Sequence, residues 1–148
     1  MKYVWIALSM LMVSFTASAD EGMKTLASKY GFQDTQARLE AVLKEKGLTV
    51  FATIDHAEGA QKAGLKMQPA TVTIFGNPKG GTPFMVASPQ AAIDFPLKAL
   101  VWEGAAGKVF MSYNSLTWVV ARHDIKGQDE LAQKLDGLQA AIAKAVTE

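Results

Sequence analysis

The sequence predicts a two-layer α+β domain in which helices bury one face of a five-stranded sheet. Three observations carry this. Leu131, Leu135, Leu138, Ile142 and Val146 repeat at helical spacing near the C-terminus, with lysines and acids filling the other side. Leu97–Glu103 and Lys108–Asn114 are β-rich runs joined by Gly104-Ala105-Ala106-Gly107, a hairpin pattern, so the strands cannot all be parallel. The chain has 148 residues, 49% of them hydrophobic, with no repeat and no linker-like tract, which fits one domain with a real core.

The elements follow in order. Lys24–Tyr30 reads as a strand stopped at Gly31. A helix follows, with Asp34 as the expected N-cap and Leu39, Val42, Leu43 and Lys46 on one side. Gly47 ends it, because glycine takes a left-handed conformation at no steric cost. Leu48–Ile54 is a strand placing Val50, Ala52 and Ile54 on one face, closed by Asp55-His56. Glu58–Ala63 can make one or two helical turns before Gly64, and Thr71–Phe75 is a strand opposing Val72 and Ile74 to Thr71 and Thr73. Gly76–Pro83 is a loop by composition, and Ser88-Pro89 is a helix start. After the hairpin, Ser115 can cap a short helix carrying Leu116, Val119, Val120 and His123 on one side. Leu131, Leu135, Leu138 and Ile142 are expected to pack on the sheet face that carries Val72 and Ile74.

Composition removes several function classes. Fifteen basic residues against 14 acidic ones leave no basic footprint, so nucleic acid is not an expected partner. Zero cysteine excludes thiolate catalysis, disulfides, covalent c-type haem attachment and Cys-based zinc or blue-copper sites. The N-terminus points to export. Lys2 supplies a positive start, Val4 to Phe15 is mostly apolar, and Ala17-Ser18-Ala19 is the small-residue pattern that signal peptidase subsites accept. That apolar run falls short of the roughly 20 residues a spanning helix needs. The expectation is a signal peptide over residues 1–19, cleavage after Ala19, and a single periplasmic or secreted domain over residues 20–148 without a membrane span.

No catalytic signature is present. Gly76-x4-Gly81 has the spacing that opens a phosphate-binding loop, but Thr82 and Pro83 stand where Lys and Ser or Thr are required. No G-x-S-x-G elbow accompanies the serines. His56 and His123 are the only imidazoles, and each reads first as a hydrogen-bonded structural residue. The sharper alternative is a ligand to a metal or to haem iron, with haem or copper the possible cofactors although no specific motif supports either. His56 leads there, because Asp55 could hold its other ring nitrogen; His123 is second and Met111 a soft or axial partner. Trp102, Phe110, Tyr113 and Trp118 form an aromatic group about the hairpin, read as core or as an association surface.

Longer stretches carry a family likeness. Phe51-Ala52-Thr53-Ile54-Asp55-His56-Ala57, Ile74–Pro83, Asp94–Glu103, Gly107-Lys108-Val109, Ser112-Tyr113-Asn114 and Arg122-His123 occur in one order along nearly the whole expected mature chain. In these motifs the sequence resembles the family called domain of unknown function 302. The resemblance implies a TATA-binding-protein-like topology, a curved, mainly antiparallel five-stranded sheet with a long C-terminal helix against it, and a tendency to homodimers. It implies no established activity. Gly104-Ala105-Ala106 departs from the acidic turn usual in the family and touches no candidate site.

The leading functional expectation is a non-enzymatic binding module for a small ligand, a metal ion or haem. Asp55, His56, Asn77, Lys79, Tyr113 and His123 are its candidate binding residues, being polar groups expected at strand ends or in loops. The competing expectation is a homodimer that binds no ligand and associates through the aromatic hairpin residues; an unidentified enzyme comes third, because no nucleophile–base motif is visible. A pocket holding both histidines favours the first; a flat apolar patch about Trp102 and Tyr113 favours the second.

Overall fold

The computed structural model describes residues 22–148. The expected signal segment and its cleavage point lie outside these residues. Five strands, β1 (Met23–Ala27), β2 (Thr49–Asp55), β3 (Ala70–Gly76), β4 (Leu97–Glu103) and β5 (Val109–Asn114), form one antiparallel sheet in the order β1-β5-β4-β3-β2. Helices α1 (Phe32–Glu45) and α5 (Asp129–Thr147) lie together across one face. The α+β class, the hairpin and the long C-terminal helix are as the sequence predicts.

The covered face carries Phe75 from β3, Ala99 and Val101 from β4, and Val109, Met111 and Tyr113 from β5. Leu39 and Leu43 of α1 and Ile142, Ala143 and Val146 of α5 close over them. Thr71 and Thr73 share this face, and Gln36 Nε2 donates to Thr73 Oγ1 at 3.0 Å. The helices therefore cover the threonine side of β3. Val72 and Ile74 point the other way, which reverses the expected packing. Their cross-strand neighbours Ile54, Ala52, Leu100 and Lys98 lie with them, as do Trp102 and Phe110, whose rings stack at 4.7 Å. Small Ala99 and polar Thr73 share the covered face with the larger Phe75, Val101 and Met111.

Other differences have local causes. The α1 N-cap is Gly31, with Asp34 in the first turn, where its charge complements the helix dipole. Gly47 ends the helix at φ 67°, and Leu48 N donates back to Leu43 O. In β2 the register shifts between Val50 and Ala52. This bulge puts Val50 opposite Phe75 and Ala52 opposite Ile74, so the three residues expected on one face divide between two. The Gly/Pro run is not a loop. It opens helix α3 (Pro78–Ala87), where Asn77 Oδ1 accepts from Lys79 N and Pro78 sits in the first turn. Burial of Phe84 outweighs the poor helix propensity of Gly80, Gly81 and Pro83. A 3-10 helix over Pro89–Asp94 follows at the expected Ser88-Pro89 start.

Helix α4 (Leu116–Arg122) begins at Ser115, whose hydroxyl accepts from Trp118 N. Phe84, Ala91, Leu116, Val120, Ile125 and Ala132 make a second buried cluster beside the main core. The α5 stripe is rotated from the expected one. Ile142 and Val146 are buried, but Ala132, Gln139 and Ala143 fill the remaining inward places. Leu131, Leu135 and Leu138 are only half-buried, and the space before the last two defines the site.

Candidate functional site

A cavity of about 240 Å³ opens between α5, α3 and the β3 end of the sheet. Phe75, Leu97, Gln139 and Ile142 form its inner part; Leu135 and Leu138 line it from α5. Gly80, Gly81 and Met85 line it from α3, while Phe51, Asn77, Pro78 and Thr82 stand at exposed or half-exposed places around it. The β2 bulge matters here, since it brings Phe51 to the covered side of its edge strand. A Cβ at Gly80 would lie 3.7 Å from Leu135, and one at Gly81 would come 3.2 Å from Phe95. Glycine at position 81 thus lets α3 lie close to the Phe95 ring, whereas a Cβ at position 80 would make only an ordinary contact.

Among the described residues no ionisable side chain lines the cavity, and its polar residues are Asn77, Thr82 and Gln139. Asn77 Oδ1 is engaged in capping α3. Gln139 is 3% exposed; its Nε2 donates to Asn114 O at 3.2 Å, and its Oε1 is buried without a hydrogen-bond partner among the described residues. Such walls suit a largely apolar ligand with few oriented polar contacts.

The sequence-selected residues do not converge. Asn77 alone lines the cavity. Lys79 is exposed on the first turn of α3, where its backbone N–H donates to Asn77. Asp55 and His56 stand at the opposite end of β3, where Asp55 pairs with Thr71. Asp55 Oδ1 caps helix α2 (His56–Lys62) by accepting from Glu58 N at 2.9 Å, and His56 is exposed with no side-chain hydrogen bond among the described residues. The carboxylate expected to orient His56 is thus engaged with the backbone. His123 ends α4 near the other end of the sheet, its Nε2–H donating to Asp94 Oδ2 at 2.5 Å. Arg122 joins the same carboxylate at 3.4 Å. No pocket holds both histidines, and no group of three or more His, Asp or Glu residues suited to a metal occurs among the described residues. Met111 is 1% exposed, within the main core.

Tyr113 is also on the covered face, so it does not join Trp102 in one patch. It borders a separate surface cleft with Lys24, Thr117 and Asp136. Burial, then the nearby Asp136 carboxylate, pushes its phenol above the usual value, with Lys24 opposing. Asp136 binds the start of α4, accepting from Leu116 N at 2.5 Å and from Thr117 N and Oγ1 at 3.1 and 2.8 Å.

An open antiparallel sheet, a pair of helices on one face and, among the described residues, an uncharged and largely apolar cavity define a small α+β domain. By sequence the chain belongs to the family described as domain of unknown function DUF302, whose model matches residues 24–142. An uncharacterized conserved DUF302 protein from Bacillus stearothermophilus has the same fold, with a TM-score of 0.77 at 21% identity over 85% of this chain and 98% of that one. Curated relatives are fluoride-specific ion channels. FluC 1 of Brucella suis biovar 1 (strain 1330) is 36% identical over 115 residues, covering 78% of this chain and 45% of the channel. FluC 1 of Brucella abortus biovar 1 (strain 9-941) matches at the same identity over 43% of its length. The chain therefore spans less than half of these relatives. Among its described residues, no helix is long and apolar enough to cross a membrane.

Proposed function

We propose that this protein is an exported, non-enzymatic binding module whose small, largely apolar ligand occupies the cavity between α3 and α5. The observation that carries the reading is that cavity: about 240 Å³, uncharged, and walled by leucines that the core does not fully enclose. Export rests on the charged start, short apolar run and Ala17-Ser18-Ala19. The mature protein from the periplasm should have an intact mass beginning at Asp20; a species retaining Met1 removes the claim. Binding is tested by thermal unfolding with indole as probe. Indole should raise the Tm of the wild type, because a ligand of the native state stabilises it by mass action. It should leave a folded Met85→Trp variant, whose larger ring fills the space, unmoved. An equal response in the two proteins rejects the cavity as the site.

The open sheet face favours a second reading, a homodimer. Val72, Ile74, Leu100, Trp102 and Phe110 belong to neither buried cluster, and Ile54 is 44% exposed beside them. An apolar surface of this kind marks an association site in many proteins. Sedimentation should give a wild-type dimer and a folded Trp102→Glu monomer. A wild-type monomer at every concentration ends that reading.

A further inference from the structure

We infer that the surface cleft between edge strand β1 and helix α5 is a second binding site, and that it takes a small zwitterion, a free α-amino acid with an apolar side chain. The cleft holds about 500 Å³, within the range of small-molecule sites. Tyr113 forms its inner wall. Strand β5 lies inside the sheet between β1 and β4, so Tyr113 reaches the cleft through its ring and not through its backbone. The residue is 7% exposed, and its hydroxyl has no hydrogen-bond partner among the described residues. That oxygen is still open to the cleft, because the sealed, unpaired side-chain atoms among the described residues belong to Gln36 and Gln139. The phenol holds its proton tightly, so at neutral pH it offers the cleft an O–H donor.

Two opposite charges flank that donor. Lys24 stands directly opposite Tyr113 in the β1–β5 register, so the two side chains project from the same face of the sheet. Asp136 comes from α5, and both charged groups line the cleft and act on the phenol. The carboxylate already accepts from Leu116 N, Thr117 N and Thr117 Oγ1, three donors against the roughly four acceptor positions it has. A simple anion in this cleft would meet Asp136, and a simple cation would meet Lys24. A zwitterion avoids both conflicts. Its ammonium turns to Asp136, while its carboxylate accepts from the Lys24 ammonium and the Tyr113 hydroxyl. An α-amino acid carries the two groups on one carbon, which suits charges set on either side of a single phenol. Met23, Leu26 and Ala140 add apolar wall beyond the charged end, which favours an apolar side chain.

Calorimetric titration of the mature protein compares L-leucine with 4-methylpentanoate, which lacks the ammonium, and 3-methylbutylamine, which lacks the carboxylate. Leucine should bind roughly tenfold more tightly than either, since each analogue loses one charged contact and keeps one conflict. Tyr113→Phe, which removes only the hydroxyl, should weaken leucine binding roughly tenfold. Lys24→Gln, a surface change that leaves the core untouched, should weaken it roughly threefold, because an exposed charge contributes less. Met85→Trp, which fills the cavity between α3 and α5, should bind leucine as the wild type does. Loss of binding in that variant would put leucine in the cavity and overturn the cleft site. The inference also falls if leucine does not bind, if either analogue matches it, or if Tyr113→Phe and Lys24→Gln leave its affinity unchanged.

Discussion

The two sides of β3 make an instructive contrast. Thr71, Thr73 and Phe75 lie beneath the helices, whereas Val72 and Ile74 lie on the side that no buried cluster covers. In a sheet with one solvated face the apolar residues ordinarily turn inward. Here β3 distributes them the other way at two positions. On β3 the covered side sets Thr71 and Thr73 beside the buried ring of Phe75, with a Gln36–Thr73 hydrogen bond inside the contact. The open side keeps β-branched and aromatic residues at partial exposure. Hydrophobicity on this strand thus does not by itself tell which face the helices cover.

The contrast can be broken by mutation. Phe75→Ala should destabilise the fold by roughly 3–5 kcal/mol, because a fully buried ring leaves a cavity next to an existing one. Ile74→Ala, one residue along, should cost the isolated protomer about 1 kcal/mol or less, as a partly exposed side chain loses little burial. Denaturant unfolding of the two variants measures the difference. A larger loss at Ile74 than at Phe75 would mean the faces are assigned the wrong way round.

A smaller effect is expected at the join between α4 and α5. Asp136 holds two backbone N–H groups and a hydroxyl at the start of α4. Asp136→Ala should cost roughly 1.5–3 kcal/mol, the range for hydrogen bonds to a charged group. Thermal unfolding should show it, and a change within noise would make α4 independent of α5.

The smallest effect sharpens the covered side through pH. Tyr113 holds its proton more tightly folded than unfolded, since burial and Asp136 raise its phenol. Its contribution is therefore whole below about pH 10 and is lost as pH climbs through the raised folded value. Tyr113→Phe should flatten the alkaline end of the stability curve. An unchanged alkaline limb would place the phenol in water.

Much of the architecture was legible because it rests on local chemistry. Gly47, Ser115 and the 104–107 turn punctuate the chain where their conformational or capping properties are required. Which face of β3 the helices cover was not legible, since Val72 and Ile74 satisfy the periodicity whether a helix or a second surface meets them. Helix α3 was hidden because Gly80, Gly81 and Pro83 resemble a loop until Phe84 has a core to enter. The site was least legible. His56 and Asp55 stand at the far end of the strands, and of the six polar candidates only Asn77 lines the cavity. The usable signal was a C-terminal leucine stripe wider than the buried face needs, interrupted by Gln139.

Backbone amide NMR spectra of the mature, isotope-labelled protein titrated with indole test the central claim most directly. The cavity account predicts saturable shifts at Gly80, Gly81, Leu135, Leu138 and Gln139, with Ile74, Leu100 and Trp102 unmoved. Shifts confined to the open face, or none at all, would contradict it.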